Sequence, residues 1–190
     1  MKYHCILIDN CHHVHGEAGH LTKLYCETLK EELDMAGVAF EEMHQKGPST
    51  TDGALFLDGC DGKVALHLSM GKYTPEQFSH AKIRYSIPEG ADLADKLAGV
   101  CSKWGKANMQ MFVTQLEHDK TLPQHRLVIA LEPYCYDSQA TFCLGTKLDQ
   151  LGTMLAKKLA EWMRWQNPEL YRPKPALWDR KQVQDQTMKA

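Results

Sequence analysis

Apolar positions along the chain follow two signatures: short continuous runs, and longer stretches in which they recur every three to four residues. Residues 3–9, 63–69 and 126–132 are runs of strand length, with the compactness of strands buried on both faces. Residues 82–87 form a half-exposed strand closed by Pro88-Glu89-Gly90, and 109–116 form another strand candidate. Leu21, Tyr25, Leu29 and Leu33 recur every fourth residue, and Gly37 stands where a helix C-terminus takes a glycine. Leu93, Leu97, Val100, Cys101 and Trp104 mark one face of a second helix, and Leu148, Leu151, Leu155, Leu159 and Trp162 that of a third. Trp162 and Trp165 read as packing residues of that last helix, in preference to a sugar platform. Residues 47–53 and the pairs Asp58-Gly59 and Asp61-Gly62 are turn chemistry.

Strand and helix alternate over residues 3–165, which predicts an α/β fold, a three-layer αβα sandwich with a mostly parallel mixed sheet. The expected organisation is one α/β domain over 1–166, followed by a polar C-terminal tail over 167–190 that packs on the surface or stays mobile, with Trp178 its one large anchor. The length of 190 residues suits one core of this kind. Lys and Arg number 22 against 24 Asp and Glu, so the chain lacks the basic surplus of a dedicated nucleic-acid binder. No apolar run reaches the length of a membrane span, so no membrane partner is expected. Seven cysteines without a CxxC pair read as reduced thiols that fill core space, and the sequence shows no export signal. Cytoplasmic synthesis is the expectation.

Sheets of this class gather their chemistry at the carboxyl ends of the strands. Three such ends hold His12, His67 and Glu132. A catalytic zinc takes three ligands from imidazole and carboxylate and keeps one position open for water. A further carboxylate near that water completes a hydrolytic catalyst. The cluster His12-His-Val-His-Gly-Glu-Ala-Gly-His20 offers the remaining ligand, with Glu17 preferred and His20 and His13 as alternatives. Taken singly, His67 in an apolar strand is a core histidine as readily as a ligand, and a histidine-rich loop can simply be solvated. Glu132 is costly to bury without a partner or a task.

In their order these stations resemble the zinc-dependent N-acetylmuramoyl-L-alanine amidases of the amidase 3 type. That family opens with a strand and Asp-Pro-Gly-His, places a glutamate at the start of the first helix, and carries a histidine on a strand reading Ser-Ile-His-Ala-Asn. It closes with a strand, a catalytic glutamate in Val-Glu-x-Gly-Phe-x-x-Asn, and a terminal helix. Here Ile8-Asp9-Asn10-Cys11-His12, Glu17, Ala65-Leu66-His67-Leu68-Ser69 and Ala130-Leu131-Glu132-Pro133 stand in that order. The resemblance implies His12, Glu17 and His67 as zinc ligands. It implies Glu132 as the base for the zinc water and the acid for the leaving amine, acting on peptidoglycan or a soluble muropeptide.

Some family positions are changed. Pro-Gly before the first histidine is Asn10-Cys11, the glycine after it is His13, and the two motif asparagines are Ser69 and Ser138. The segment between His12 and the helix is also shorter than the family's, which keeps His20 and His13 open as the middle ligand. Two further readings follow from these departures: another zinc amidohydrolase of carboxypeptidase-like or formyl-amino-acid type, or a non-catalytic ligand- or protein-binding module on the same scaffold. A thiol hydrolase using Cys11 with His12 or His13 lacks an orienting third group. A cell-wall substrate would call for release of phage type, since no signal peptide is visible.

Overall fold

A computed structural model of the chain describes residues 3–9, 17–42, 62–69, 80–105, 110–115, 127–134 and 141–169. In chain order these form β1 (Cys5–Asp9), α1 (Glu17–Met35), β2 (Phe40–Glu42), β3 (Lys63–Leu68), β4 (His80–Tyr85), a 3-10 turn (Pro88–Gly90), α2 (Ala91–Gly105), β5 (Gln110–Gln115), β6 (Leu127–Tyr134) and α3 (Thr141–Gln166). The six strands make one sheet in the order β2-β1-β3-β6-β4-β5. All strand pairs are parallel except β4 with β6. This mixed sheet packed against helices is the expected α/β architecture.

The side chains of each strand alternate between faces, and one face of four neighbouring strands is wholly apolar. Ile6 and Ile8, Val64, Leu66 and Leu68, Ala81 and Ile83, and Leu127, Ile129 and Leu131 occupy it. These residues join Tyr25, Leu29 and Leu33 of α1, Leu93 and Leu97 of α2, and Leu148, Leu151, Leu155 and Leu159 of α3 in a single hydrophobic cluster. The opposite face carries Cys5, Leu7, Ala65, His67, Val128 and Ala130, which are buried as well. Burial on both faces is why the runs read as continuous and not alternating.

Helix α1 ends on Gly37, whose φ of 71° is left-handed. The Gly37 amide donates to the Asp34 carbonyl at 2.9 Å and the Val38 amide to Leu33 at 3.0 Å, the paired bonds of a Schellman cap. The turn it makes leads into β2, an edge strand of three residues that the sequence pattern did not predict. Three residues are too few for a periodic signal. Glu41 and Glu42 of that edge are held by Lys63 at 2.7 Å and Lys30 at 3.0 Å, charges that discourage further strand pairing.

Strand β6 runs beyond Glu132 through Pro133, a residue that central strands exclude. Two features accommodate it. The Ser86 amide donates to the Val128 carbonyl, so with the register of β4 on β6, Pro133 faces Ala81 at a position where no ladder bond to β4 is made. On the other side the Ser69 amide donates to the Leu131 carbonyl at 3.1 Å, and the next bond would run from residue 133 to the Ser69 carbonyl. Proline cannot donate it. The Tyr25 hydroxyl of α1 donates to that carbonyl instead, at 3.1 Å. The end of β3 is thereby fixed to α1 just beyond His67.

Cys5, Cys26 and Cys101 are buried free thiols, as the composition implied for core cysteines. Asn167, the residue after α3, is buried and its side-chain amide donates to the Tyr3 carbonyl, so the chain is still tied to the domain at that point. No helix among the described residues is long and apolar enough to cross a membrane.

Candidate active site at the carboxyl ends of β1, β3 and β6

The register of the three strands brings their chemistry together. Asp9 is directly opposite His67, and His67 is opposite Ala130, so Glu132 lies one step further along β6 on the same face. Across the antiparallel pair, Lys82 of β4 stands opposite Glu132 and Arg84 opposite Ala130. The polar residues at these strand ends therefore share the face opposite the large helical core.

Asp9 and His67 are both buried, and Asp9 Oδ2 lies 2.9 Å from His67 Nδ1. A carboxylate at that nitrogen accepts its proton and selects the tautomer with hydrogen on Nδ1, which assigns metal or substrate binding to Nε2. Zinc-bound histidines are held by an acceptor in this same manner, so His67 fits the ligand role by its donor chemistry. Glu132 is half-buried, at the depth of a group that meets both protein and substrate.

Asp9 is the residue that sequence reasoning missed in this role. Its signal was present: an acid two positions after Leu7 in a buried strand needs a partner on its own face. Of the expected zinc ligands, His12 lies outside the described residues. Glu17 is the first residue of α1, and its side chain lies outside them too. The alternative ligand His20 is exposed on α1, while His13 and Cys11 lie outside the described residues. Among the described residues no group of three or more His, Cys, Asp or Glu gathers as a metal site. The last helix brings one correction. Trp162 is buried and packs as expected, whereas Trp165 is 77% exposed.

No family model and no curated protein matches the sequence. The fold does have solved neighbours in shape, and N-acetylmuramoyl-L-alanine amidases are among them. The chain is similar to N-acetylmuramoyl-L-alanine amidase AmiC2 of Nostoc punctiforme, with a TM-score of 0.62 and 12% identity over 84% of this chain and 97% of that one. It is similar to the CwlD amidase of Clostridioides difficile, solved in complex with the GerS lipoprotein, at 0.59 and 8% over 85% and 98%. The catalytic domain of the amidase CwlV from Bacillus (Paenibacillus) polymyxa var. colistinus gives 0.55 and 9% over 86% and 98%. At such identities the likeness is one of fold.

Proposed function

We propose that the chain is a zinc-dependent amide hydrolase that cleaves the N-acetylmuramoyl-L-alanine bond of peptidoglycan or of a soluble muropeptide. The observation that carries the proposal is the buried Asp9–His67 pair, with Glu132 on the next strand and the same face, in a fold shared with such amidases. His12, Glu17 and His67 are the proposed zinc ligands, with His20 and His13 as the alternatives for the middle one. When bound, zinc supplies Lewis acidity to the amide carbonyl and makes water a nucleophile near neutral pH.

The remaining steps fall to side chains. Asp9 holds His67 in one tautomer and orientation. Glu132 takes a proton from the water as its oxygen adds to the carbonyl carbon, then delivers that proton to the amine nitrogen as the carbon–nitrogen bond breaks. The products are a muramoyl carboxylate and a free L-alanyl amine, and the glutamate returns to its starting state. Cytoplasmic synthesis followed by release of phage type is the route to the wall that goes with this reading.

Glu132→Gln separates catalysis from metal binding. The variant is expected to retain about one zinc per chain by metal analysis and to lose about 10²–10⁴-fold in amine release from a muramoyl peptide. Native protein that contains no zinc and gains no activity on adding it refutes the proposal. Zinc-loaded protein that releases no amine from muropeptides, peptides or formyl-amino acids favours a binding module on this scaffold.

A further inference from the structure

At the opposite end of the sheet, α3 leaves a large aromatic ring in solvent. Trp165 is 77% exposed, three residues after Trp162, whose buried ring packs on Tyr3 with centroids 5.5 Å apart. Both tryptophans line a groove of about 1200 Å³ together with Glu89, Asp92, Arg164 and Gln166. Tyr3 precedes β1 and Asp9 ends it. Six residue steps separate them, about 20 Å at the strand rise, so the groove and the hydrolytic site lie at different ends of the strands.

The lining specifies what kind of molecule covers that ring. Its acids are Glu89, Asp92 and Glu161, and its cations are Lys96 and Arg164. Asp92 is paired with Lys96, and Glu161 with Lys158, whose hydrogen bond and charge hold the Glu161 carboxyl below its ordinary range. The charges balance within the protein and leave little net field to attract an ionic ligand. Planar hydrogen-bonding groups line the same groove as the exposed ring: the Glu89 carboxylate, the Gln166 amide and the Arg164 guanidinium. The guanidinium is anchored through Nη2 to the Ala36 carbonyl at 3.4 Å, and its Nε is buried with no hydrogen-bond partner among the described residues. Burial and the nearby Glu89 charge keep the Tyr3 phenol protonated above its ordinary pKa. A neutral ligand with one flat C–H face and a rim of hydroxyl and amide groups suits this lining of exposed ring and polar groups. A pyranose ring is such a ligand.

We infer that this groove is a second binding site, taking a chain of N-acetylated amino sugars. The choice of amino sugar among hexoses rests on the amidase reading, whereas the glycan assignment rests on the groove itself. A glycan held here keeps the enzyme on its polymer, so that the hydrolytic end meets scissile bonds at a raised effective concentration.

The soluble tetramer of N-acetylglucosamine tests this, because it has no bond to L-alanine and reports nothing about hydrolysis. Calorimetric or tryptophan-fluorescence titration of the full chain is expected to show binding. Trp165→Ala is expected to weaken it by at least about tenfold, and Trp165→Phe by less. Trp165 is exposed, so the Ala variant is expected to keep the native circular dichroism and melting temperature. Absence of binding by the intact chain at millimolar tetramer, or equal binding by Trp165→Ala, overturns the site. A glucose tetramer that binds as tightly as the N-acetylglucosamine tetramer overturns the amino-sugar assignment. Amine release from a muramoyl peptide, measured separately, reports on the catalytic reading alone.

Discussion

Burying a carboxylate or an imidazole costs free energy that only a partner offsets, and Asp9 and His67 supply each other at 2.9 Å. On the proposed function Asp9 is a positioning residue, with a measurable consequence. Asp9→Asn keeps the shape but removes the charge that holds the proton on Nδ1, and it is expected to weaken zinc binding by about 10–100-fold. Asp9→Ala adds a folding cost of about 1–3 kcal/mol, because the imidazole loses its partner. Competition against a chromophoric chelator reads the first effect and thermal melting the second. Unchanged zinc affinity in both variants removes Asp9 from the site. A different residue sets an alkaline limit. Burial pushes the Cys101 thiol up from 9.0 to about 12. The unfolded thiol ionises first, so stability from this group is complete below pH 9 and is lost progressively from there toward 12, by at most about 1.4 kcal/mol per pH unit. Denaturant unfolding of Cys101→Ala across that range is expected to show a shallower decline. His67 and Glu132 were legible in the sequence because each interrupts an apolar run. The need of Asp9 for a partner was legible in the same way, but that the partner is His67 was not, because it depends on the register of β1 against β3, which no local pattern encodes.

The elements were legible to the degree that each had a period to read. The three helices and the strands β1, β3 and β6 declared themselves through apolar spacing, and Gly37 marked the end of α1 correctly. Strand β2 was too short to do so, and Pro133 concealed the last residues of β6 because a proline ordinarily ends a central strand. Close approach between helices leaves a fainter mark, a lone glycine inside a helix. Gly152 of α3 sits where a Cβ would meet the Tyr25 carbonyl oxygen at 2.5 Å and Thr28 Cβ at 2.9 Å. Two of these neighbours are backbone atoms or lie next to backbone, so α1 and α3 must separate to admit a methyl. Gly152→Ala is therefore expected to destabilise by about 1–3 kcal/mol, despite the better helix propensity of alanine. Gly99 of α2 has open space around it, and Gly99→Ala is expected to be neutral or stabilising. Melting temperatures of the two variants measured side by side decide whether helix contact or helix propensity governs.

At the scale of the molecule, a similar shape goes with a dissimilar sequence: the solved structures of like fold share only 8–12% of residues with the chain. This is physically reasonable where a strand buried on both faces needs only apolar side chains of suitable volume, so that many sequences satisfy one sheet. The strand ends are less permissive, since the chemistry there is specific to residue type. A metal bound at those ends would also act on the whole fold, because a ligand that binds only the native state stabilises it by mass action. Zinc at a hundred times its Kd is expected to add about 2.7 kcal/mol. For a chain of this size that raises the melting temperature by about 5–10 °C. His67→Ala is expected to abolish the rise. Trp165→Ala is expected to preserve it, because its groove lies about 20 Å away along β1. Glu132→Gln is expected to preserve it too, because the proposal gives that residue protons and not metal to hold. An equal rise in His67→Ala would mean that zinc binds elsewhere, and would detach the buried Asp9–His67 pair from the metal.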